Sequence, residues 1–472
     1  MKHIIWMAAL VLTAATWSAC SNKENLAVAE EPEQPRTYTV TTTLSPRDGA
    51  ATRSTMTDNG DGSISSEWQV GDQLWVDYCN NTSETPVETT ATVTAVDLST
   101  KAATITVTLI DPKDGGAIGF GYPYSLYTGT KKLRTDQIGT LDDINANFAS
   151  IYGDGTLTVS GSDVTLPAVT MEPAMCIWKF SFTDGANDIT SAITKLVIDF
   201  PNDDEDPYEI TPSSLGTIYV AIIADSNVIN AEPICITAQT STGVYRKAAA
   251  SVTLAAGTTY TTTGLALKKA QVGKVFGADG NIYADADAAT AASTTAIAMI
   301  AYVGNNTSEA SPYNHGLALA MSDANSGAQC QWKTSTTDAG HTKQSSSFTA
   351  ESGLQYNDAT HNSDTYPAFK AAIANNSTAV STGCSAWFLP TGYQWNQMIN
   401  ACKNVLGTNN NFKDLRDGFN TRGGTNMQSG HYWSSSEFSA NDSWLCTFGS
   451  SDGHWAYLNK GWGLYVRSAL AF

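Results

Sequence analysis

Charge is what this sequence has least of. Only 15% of its 472 residues are Asp, Glu, Lys or Arg, and 45 acidic residues outnumber 26 basic ones. A net charge of −19 repels phosphate backbones, which excludes nucleic acid as a partner. Past the first twenty residues there is no apolar run long enough to span a bilayer as a helix, so any membrane attachment is by lipid or by assembly. The eight cysteines show no CxxC spacing, which speaks against zinc ribbons and thioredoxin-like chemistry. GxSxG, P-loop and dinucleotide glycine patterns are all missing, and His315, His341, His361 and His431 lack metal-ligand spacing. The expectation is a non-enzymatic protein with no cofactor and no metal.

What is present is small, polar and periodic. Segments such as "TYTVTTTL", "TATVTAVD", "AATITVTLI", "CIWKFSFT", "ITKLVIDF" and "PICITAQT" alternate with period two between clusters of Gly, Asn, Asp and Pro. Many short strands at that spacing predict antiparallel sandwiches from Thr37 to about Leu267, with a break at Ser160–Ala174 making two. "KKAQVGKV", Lys268–Val275, reads as a linker. Beyond it lie seven of the twelve tryptophans and five of the six histidines. Two helices are predicted there. "SDTYPAFKAAIANN" has Asp364 or Thr365 as its N-cap, and "GYQWNQMINACKNVLG" sets Trp395, Met398, Ile399, Cys402 and Leu406 on one face. The fold class is therefore mainly β, two antiparallel β-sandwiches followed by an α+β domain.

The N-terminus, "MKHIIWMAALVLTAATWSAC", has a basic start, a short apolar run and small residues before a cysteine. It resembles the lipobox of bacterial lipoproteins, with Trp17 departing from the usual leucine, and the resemblance implies lipidation at Cys20. "SNKEN" after it is similar to the surface-export tag of Bacteroidetes lipoproteins. Seven cysteines remain, so at least one thiol is unpaired; Cys384 with Cys402 is one available disulfide.

"TRSTMTDNGDGSISSEWQVGDQLWVDY", Thr52–Tyr78, resembles the opening of fimbrillin-family proteins, with Trp68, Gly71, Asp72, Leu74 and Val76 in the places of its "W..GD" motif. That family builds type V pili. The resemblance implies that an arginine-specific protease removes the first strand and that another subunit's strand fills the groove. Arg36, Arg47 and Arg53 are the candidate cleavage points, and the sequence does not choose among them.

"CSAWFLPTGYQWNQMINAC" and "YWSSSE…VRSALAF" are similar to the C-type-lectin-like domain of Bacteroidetes surface proteins, which implies a core of Trp387, Leu389, Pro390, Trp395, Tyr432, Trp433, Val466, Arg467 and Phe472. The calcium-binding "EPN", "QPD" and "WND" triplets are absent; "AND", Ala440–Asp442, is a poor substitute. Between the framework motifs, small polar residues mix with aromatics. This resembles the variable region of lectin-fold proteins diversified by retroelement mutagenesis. Such a mixture also suits a binding surface on its own physics, because Tyr and Trp give stiff contact area while Ser, Gly and Asn adapt. Phe438, Asn441, Asp442, His454, Tyr457, Asn459, Trp462 and Tyr465 are the expected ligand-facing residues.

The domains expected are a signal peptide at 1–19, a lipidated leader at 20–36, sandwiches at 37–168 and 169–270, and the lectin-like domain at 271–472. The function these readings imply is a cell-surface adhesin at the tip of an outer-membrane fimbrium. Its partners would be other pilus subunits and a host, bacterial or glycan ligand, and a lipid on the precursor would be its one link to the membrane. The alternative is a non-polymerised glycan-binding lipoprotein for nutrient capture.

Overall fold

The computed structural model describes residues 35–46, 55–61, 64–81, 85–202, 205–212, 215–224, 229–375, 382–403, 405–407, 410–449 and 452–472. Cys20, Arg47 and Arg53 lie outside the described residues, as do the signal and most of the leader.

The mainly β fold follows from the alternation. In the first domain β1 (Thr37–Pro46) is followed by a hairpin of β2 (Thr55–Asp58) and β3 (Ile64–Glu67). Next come β4 (Gln73–Tyr78), β5 (Val87–Asp97), β6 (Ala102–Ile110), β7 (Ala117–Tyr122) and β8 (Ile151–Thr156). A small ribbon of β9 (Thr158–Ser160) and β10 (Asp163–Thr165) precedes β11 (Val169–Pro173). Along β4, Leu74, Val76 and Tyr78 point inward while Gln73, Trp75 and Asp77 do not, as period two requires. Fully burying each such apolar side chain contributes about 1.5–3 kcal/mol.

These strands join in the order β1-β11-β8-β7-β4-β5-β6 and close into a barrel. β1 closes the ring. It runs antiparallel to β6 from Thr37↔Ile110 to Leu44↔Ala103, and parallel to β11 from Leu44↔Val169 to Pro46↔Met171. The "W..GD" motif is the corner before β4: Trp68 is buried, Gly71 takes φ +99°, and Asp72 Oδ2 accepts from the Gln69 amide at 2.9 Å. Because β11 pairs with β1 and β8, the first unit runs on to Pro173, past the boundary expected at 168/169.

The second domain packs a sheet of β12 (Met175–Thr183), β15 (Ile218–Ile223) and β18 (Thr259–Ala266) over a second sheet. That second sheet holds β13 (Ile193–Asp199), β14 (Tyr208–Ile210), β16 (Ile229–Thr240), β17 (Gly243–Leu254) and β19 (Lys268–Lys269). The barrel reaches into this sandwich twice. Between β7 and β8 the chain forms two single turns, α1 (Tyr124–Tyr127) and α2 (Leu141–Asp143), and sends Leu133, Ile144 and Phe148 into the sandwich core. From the hairpin, Met56 joins that core, and Asp58 accepts from the Lys179 ammonium and, at 2.5 Å, from the Tyr219 hydroxyl.

The third domain is α+β. Its main sheet is β21 (Ile282–Tyr283), β20 (Val275–Gly277), β22 (Ala296–Val303), β23 (Gly316–Ala320) and β29 (Ala469–Ala471), in that order. Around it lie α3 (Ala286–Ala291), α4 (Pro367–Ile373), α5 (Gly392–Cys402) and α6 (Asn411–Asp417). Two smaller sheets carry the candidate surface: β24 (Cys330–Gln331) with β28 (Gly463–Leu464), and β25 (Gly430–Glu437), β26 (Asp442–Phe448) and β27 (Gly453–Asn459) in that order. The aromatic framework expected as core is buried throughout.

Several local expectations shift. Tyr366 is the residue preceding α4, and Asp364 pairs instead with Lys370 at 2.7 Å. α5 stops at Cys402, short of Leu406. Cys402 and Cys384 lie in different apolar clusters, and the disulfide considered between them is not formed. "KKAQVGKV" is not a loose linker either. Lys268–Lys269 pair with β17, and Ala270 shares an apolar cluster with Val244, Phe276, Trp387 and Phe472. Across the same junction the buried Arg246 guanidinium donates to Thr382 O at 2.6 Å and lies over Phe276.

Candidate ligand-binding surface

The residues expected to face a ligand separate into two groups along the three-stranded sheet. Register places Asp442 opposite Asn459 and Trp444 opposite Tyr457 at one end, and Thr447 opposite His454 toward the other. His454 and Asn459 are five positions apart, about 17 Å at the rise of a strand. Phe438, Asn441, Asp442, Tyr457, Asn459 and Trp462 gather at the first end. His454 is exposed on β27 at the second. Tyr465 is also at that second end, where its ring packs 5.5 Å from Tyr432 and lies over Gly430, a packing role.

At the first end the aromatics form a continuous ledge. Phe438 stacks on Tyr457 with centroids 3.8 Å apart, and both meet Trp444 edge-on at 5.2 and 5.6 Å. Trp444 and Trp455 in turn bracket Phe348, at 5.2 and 4.4 Å. Tyr457 stays 49% exposed and Trp462 62% exposed, the two large aromatics that this stretch offers to solvent. Asn441 and Asp442 build the turn between β25 and β26: the Ser439 hydroxyl accepts from both of their amides and donates to Asp442 Oδ2 at 2.9 Å.

Beneath the turn lies a buried ion cluster that the sequence reading did not single out. Glu437, wholly buried, accepts from the Lys460 and Lys343 ammonium groups and from the Ala339 amide at 3.0 Å. Lys460 donates further to Ala440 O at 2.7 Å and to Thr337 O at 3.2 Å, binding the loop after β24 to the turn between β25 and β26. Burial pushes the Lys460 ammonium below the ordinary lysine value against the opposing pull of Glu437. Two lysines already answer this carboxylate, so it is poorly suited to a cation. Among the described residues, no group of three or more His, Cys, Asp and Glu side chains is placed to hold a metal ion.

A second polar cluster fixes the loop that carries Phe348. His341 Nε2 lies 2.9 Å from His361 Nε2, its Nδ1 faces Ser435 O at 3.2 Å, and its ring stacks on Tyr356. Burial holds the His341 imidazole down to about 4. Tyr356 donates to Glu351 at 2.6 Å.

Gln329, Gln331 and Thr336, which border the glycines on either side of Trp462, were not legible as site residues. They reach it because Cys330 pairs with Leu464 and Gln331 with Gly463, a contact some 130 residues apart in the chain. A two-residue strand leaves no periodic signal to read.

No protein family matches the chain by sequence, and no curated protein does. Among solved structures, the chain is similar to a fimbrial protein from Bacteroides ovatus at 14% identity, covering 93% of this chain and 100% of that one with a TM-score of 0.37. It is also similar to a proposed cell adhesion protein from Bacteroides uniformis, at 12% identity, 51% and 98% coverage and a TM-score of 0.28. A minor pilin from Streptococcus agalactiae matches at 12% identity, 50% and 97% coverage and a TM-score of 0.16.

Proposed function

We propose that this protein is a cell-surface adhesin, the tip subunit of a strand-exchange pilus, which engages its ligand through the C-terminal domain. The observation that carries the reading is the position of β1. It closes the barrel between β6 and β11, so its loss would leave unpaired N–H and C=O groups along both edges of an open groove. Another subunit's strand would satisfy those groups by β-augmentation. The three arginines then become unequal. Arg36 precedes β1, so a cut there leaves the strand in place, whereas Arg47 and Arg53 follow it and a cut at either detaches it. After such a cut, the hairpin held by Asp58 would keep the new N-terminus against the sandwich.

At the other side, the last sandwich strands run directly into the third domain, with Ala270 and Val244 packed in a cluster shared with it. Donation of a strand from that end of the sandwich is blocked by the folded domain, which suits the tip. The lectin-like reading of the third domain rests on the motif resemblance and on the buried framework. A second reading, the non-polymerised glycan-binding lipoprotein, is favoured by the same closed barrel, which is complete without a partner strand.

Substitution of the arginines in the producing bacterium separates the two. The pair Arg47→Ala and Arg53→Ala is expected to abolish incorporation into sheared pili, and Arg36→Ala to leave it unchanged. Incorporation that persists without Arg47 and Arg53 would refute strand removal there.

A further inference from the structure

The turn around Trp462 has a chemistry of its own. It joins β27 to β28, with the Trp462 amide donating to Asn459 O at 3.0 Å, and it lifts the indole into solvent between two glycines. Those glycines form a floor without side chains. A Cβ at Gly461 would stand 3.2 Å from Asn459 Oδ1, 3.8 Å from Thr336 Cγ2 and 4.0 Å from Gln331 Nε2. One at Gly463 would stand 3.5 Å from Gln329 Cβ and 3.8 Å from its Oε1.

Of the three side-chain amides here, two are each used at one end and the third is not used internally. Asn459 Oδ1 accepts from the Gly461 amide at 3.0 Å, and Gln331 Nε2 donates to Gly461 O at 2.9 Å. That fixes both side chains and leaves the Asn459 NH₂, the Gln331 carbonyl oxygen and the Gln329 amide to meet a ligand. The three amides are neutral, and the carboxylate opposite Asn459, that of Asp442, accepts from the Ser439 hydroxyl at 2.9 Å. Glu437, the buried acid nearby, is already matched by Lys460 and Lys343.

We infer that Trp462, Asn459, Gln331 and Gln329 form a calcium-independent subsite for a neutral pyranose. A pyranose has an apolar C–H face that stacks on an indole, and a rim of hydroxyls that each donate and accept, as carboxamides do. A protein partner is a worse fit. Protein hot spots set a Trp among apolar neighbours that exclude water, whereas the glycines on either side of Trp462 are bordered by Asn459, Thr336, Gln331 and Gln329 and no ring of the Phe438–Tyr457 ledge stacks on it. The inference names the ligand class for the surface proposed above and takes its biological setting from that proposal.

The test uses the full chain labelled with 5-fluorotryptophan, with the Trp462 fluorine resonance assigned through Trp462→Phe. The probes are neutral di- and trisaccharides of glucose, galactose, mannose and N-acetylglucosamine, with sialyllactose as the acidic control. At least one neutral sugar at millimolar concentration is expected to move the Trp462 resonance, equally with and without EDTA, and Gln331→Ala is expected to weaken that binding five-fold or more. No shift with any neutral sugar, or a shift abolished by EDTA, overturns the inference.

Adherence of cells carrying Trp462→Ala separates this from the adhesin reading. Adherence lost in a protein that binds no sugar leaves an adhesin with another ligand and sinks the pyranose subsite. Sugar binding at Trp462 with adherence unchanged keeps the subsite and contradicts the adhesin.

Discussion

Single residues near the candidate surface divide into those that hold it and those that present themselves. Glu437 holds it. Replacing it with Gln leaves Lys460 buried against a neutral amide, and breaking a buried pair on one side costs about 3–5 kcal/mol. Denaturant unfolding of Glu437→Gln should show that loss. Trp462→Ala should change stability by no more than about 0.5 kcal/mol, since the indole is mostly in water. His341 supplies a pH signature. Its folded-state value, about 4, lies below the ordinary 6.5, so the folded protein binds this proton less readily than the unfolded chain. Its contribution is intact above about pH 6.5 and declines as pH falls toward 4. His315, held down to about 4 chiefly by burial and then by Arg246 and Lys195, acts in the same direction. Unfolding midpoints between pH 7 and 4.5 should fall less steeply for His341→Gln than for the parent. The sequence marked Trp462 and Tyr457 through their odd setting among small polar residues. It did not mark Glu437 or Lys460, whose importance lies in having reached each other.

Elements were legible in proportion to how local their cause is. Alternation reveals β4 and β6, and apolar spacing reveals α5, whose start is further fixed by a reciprocal cap between Thr391 and Gln394. Barrel closure by β1, and the pairing of β24 with β28, depend on partners far along the chain, and no period encodes them. The hairpin of β2 and β3 anchors on the neighbouring sandwich, a contact that no local sequence pattern encodes. Hydrogen bonds from Lys179 and then Tyr219 hold the Asp58 carboxyl down to about 2. A carboxylate depressed in the folded state stabilises above its unfolded value near 3.8 and loses that contribution as pH falls toward 2. Asp58→Asn should therefore lower the unfolding midpoint at pH 7, and the gap from the parent should close by pH 2–3.

On the scale of the whole molecule, the two junctions are packed rather than hinged. Gln137 of the barrel domain is buried and exchanges hydrogen bonds with the Ala221 backbone at 2.8 and 2.9 Å, and Gln239 of the sandwich meets His315 of the third domain at 2.5 Å. A ligand held at Trp462 would thus pull on a chain of domains joined through their cores, as a surface tether requires. In the proposed pilus, β1 is a removable strand and the barrel a receptor for another. The most direct test is the N-terminal sequence and apparent size of the protein recovered from the cell envelope without boiling. The expected result is a chain beginning just after Arg47 or Arg53 within a detergent-resistant ladder. A monomer that still begins at a lipidated Cys20, with β1 intact, would contradict it.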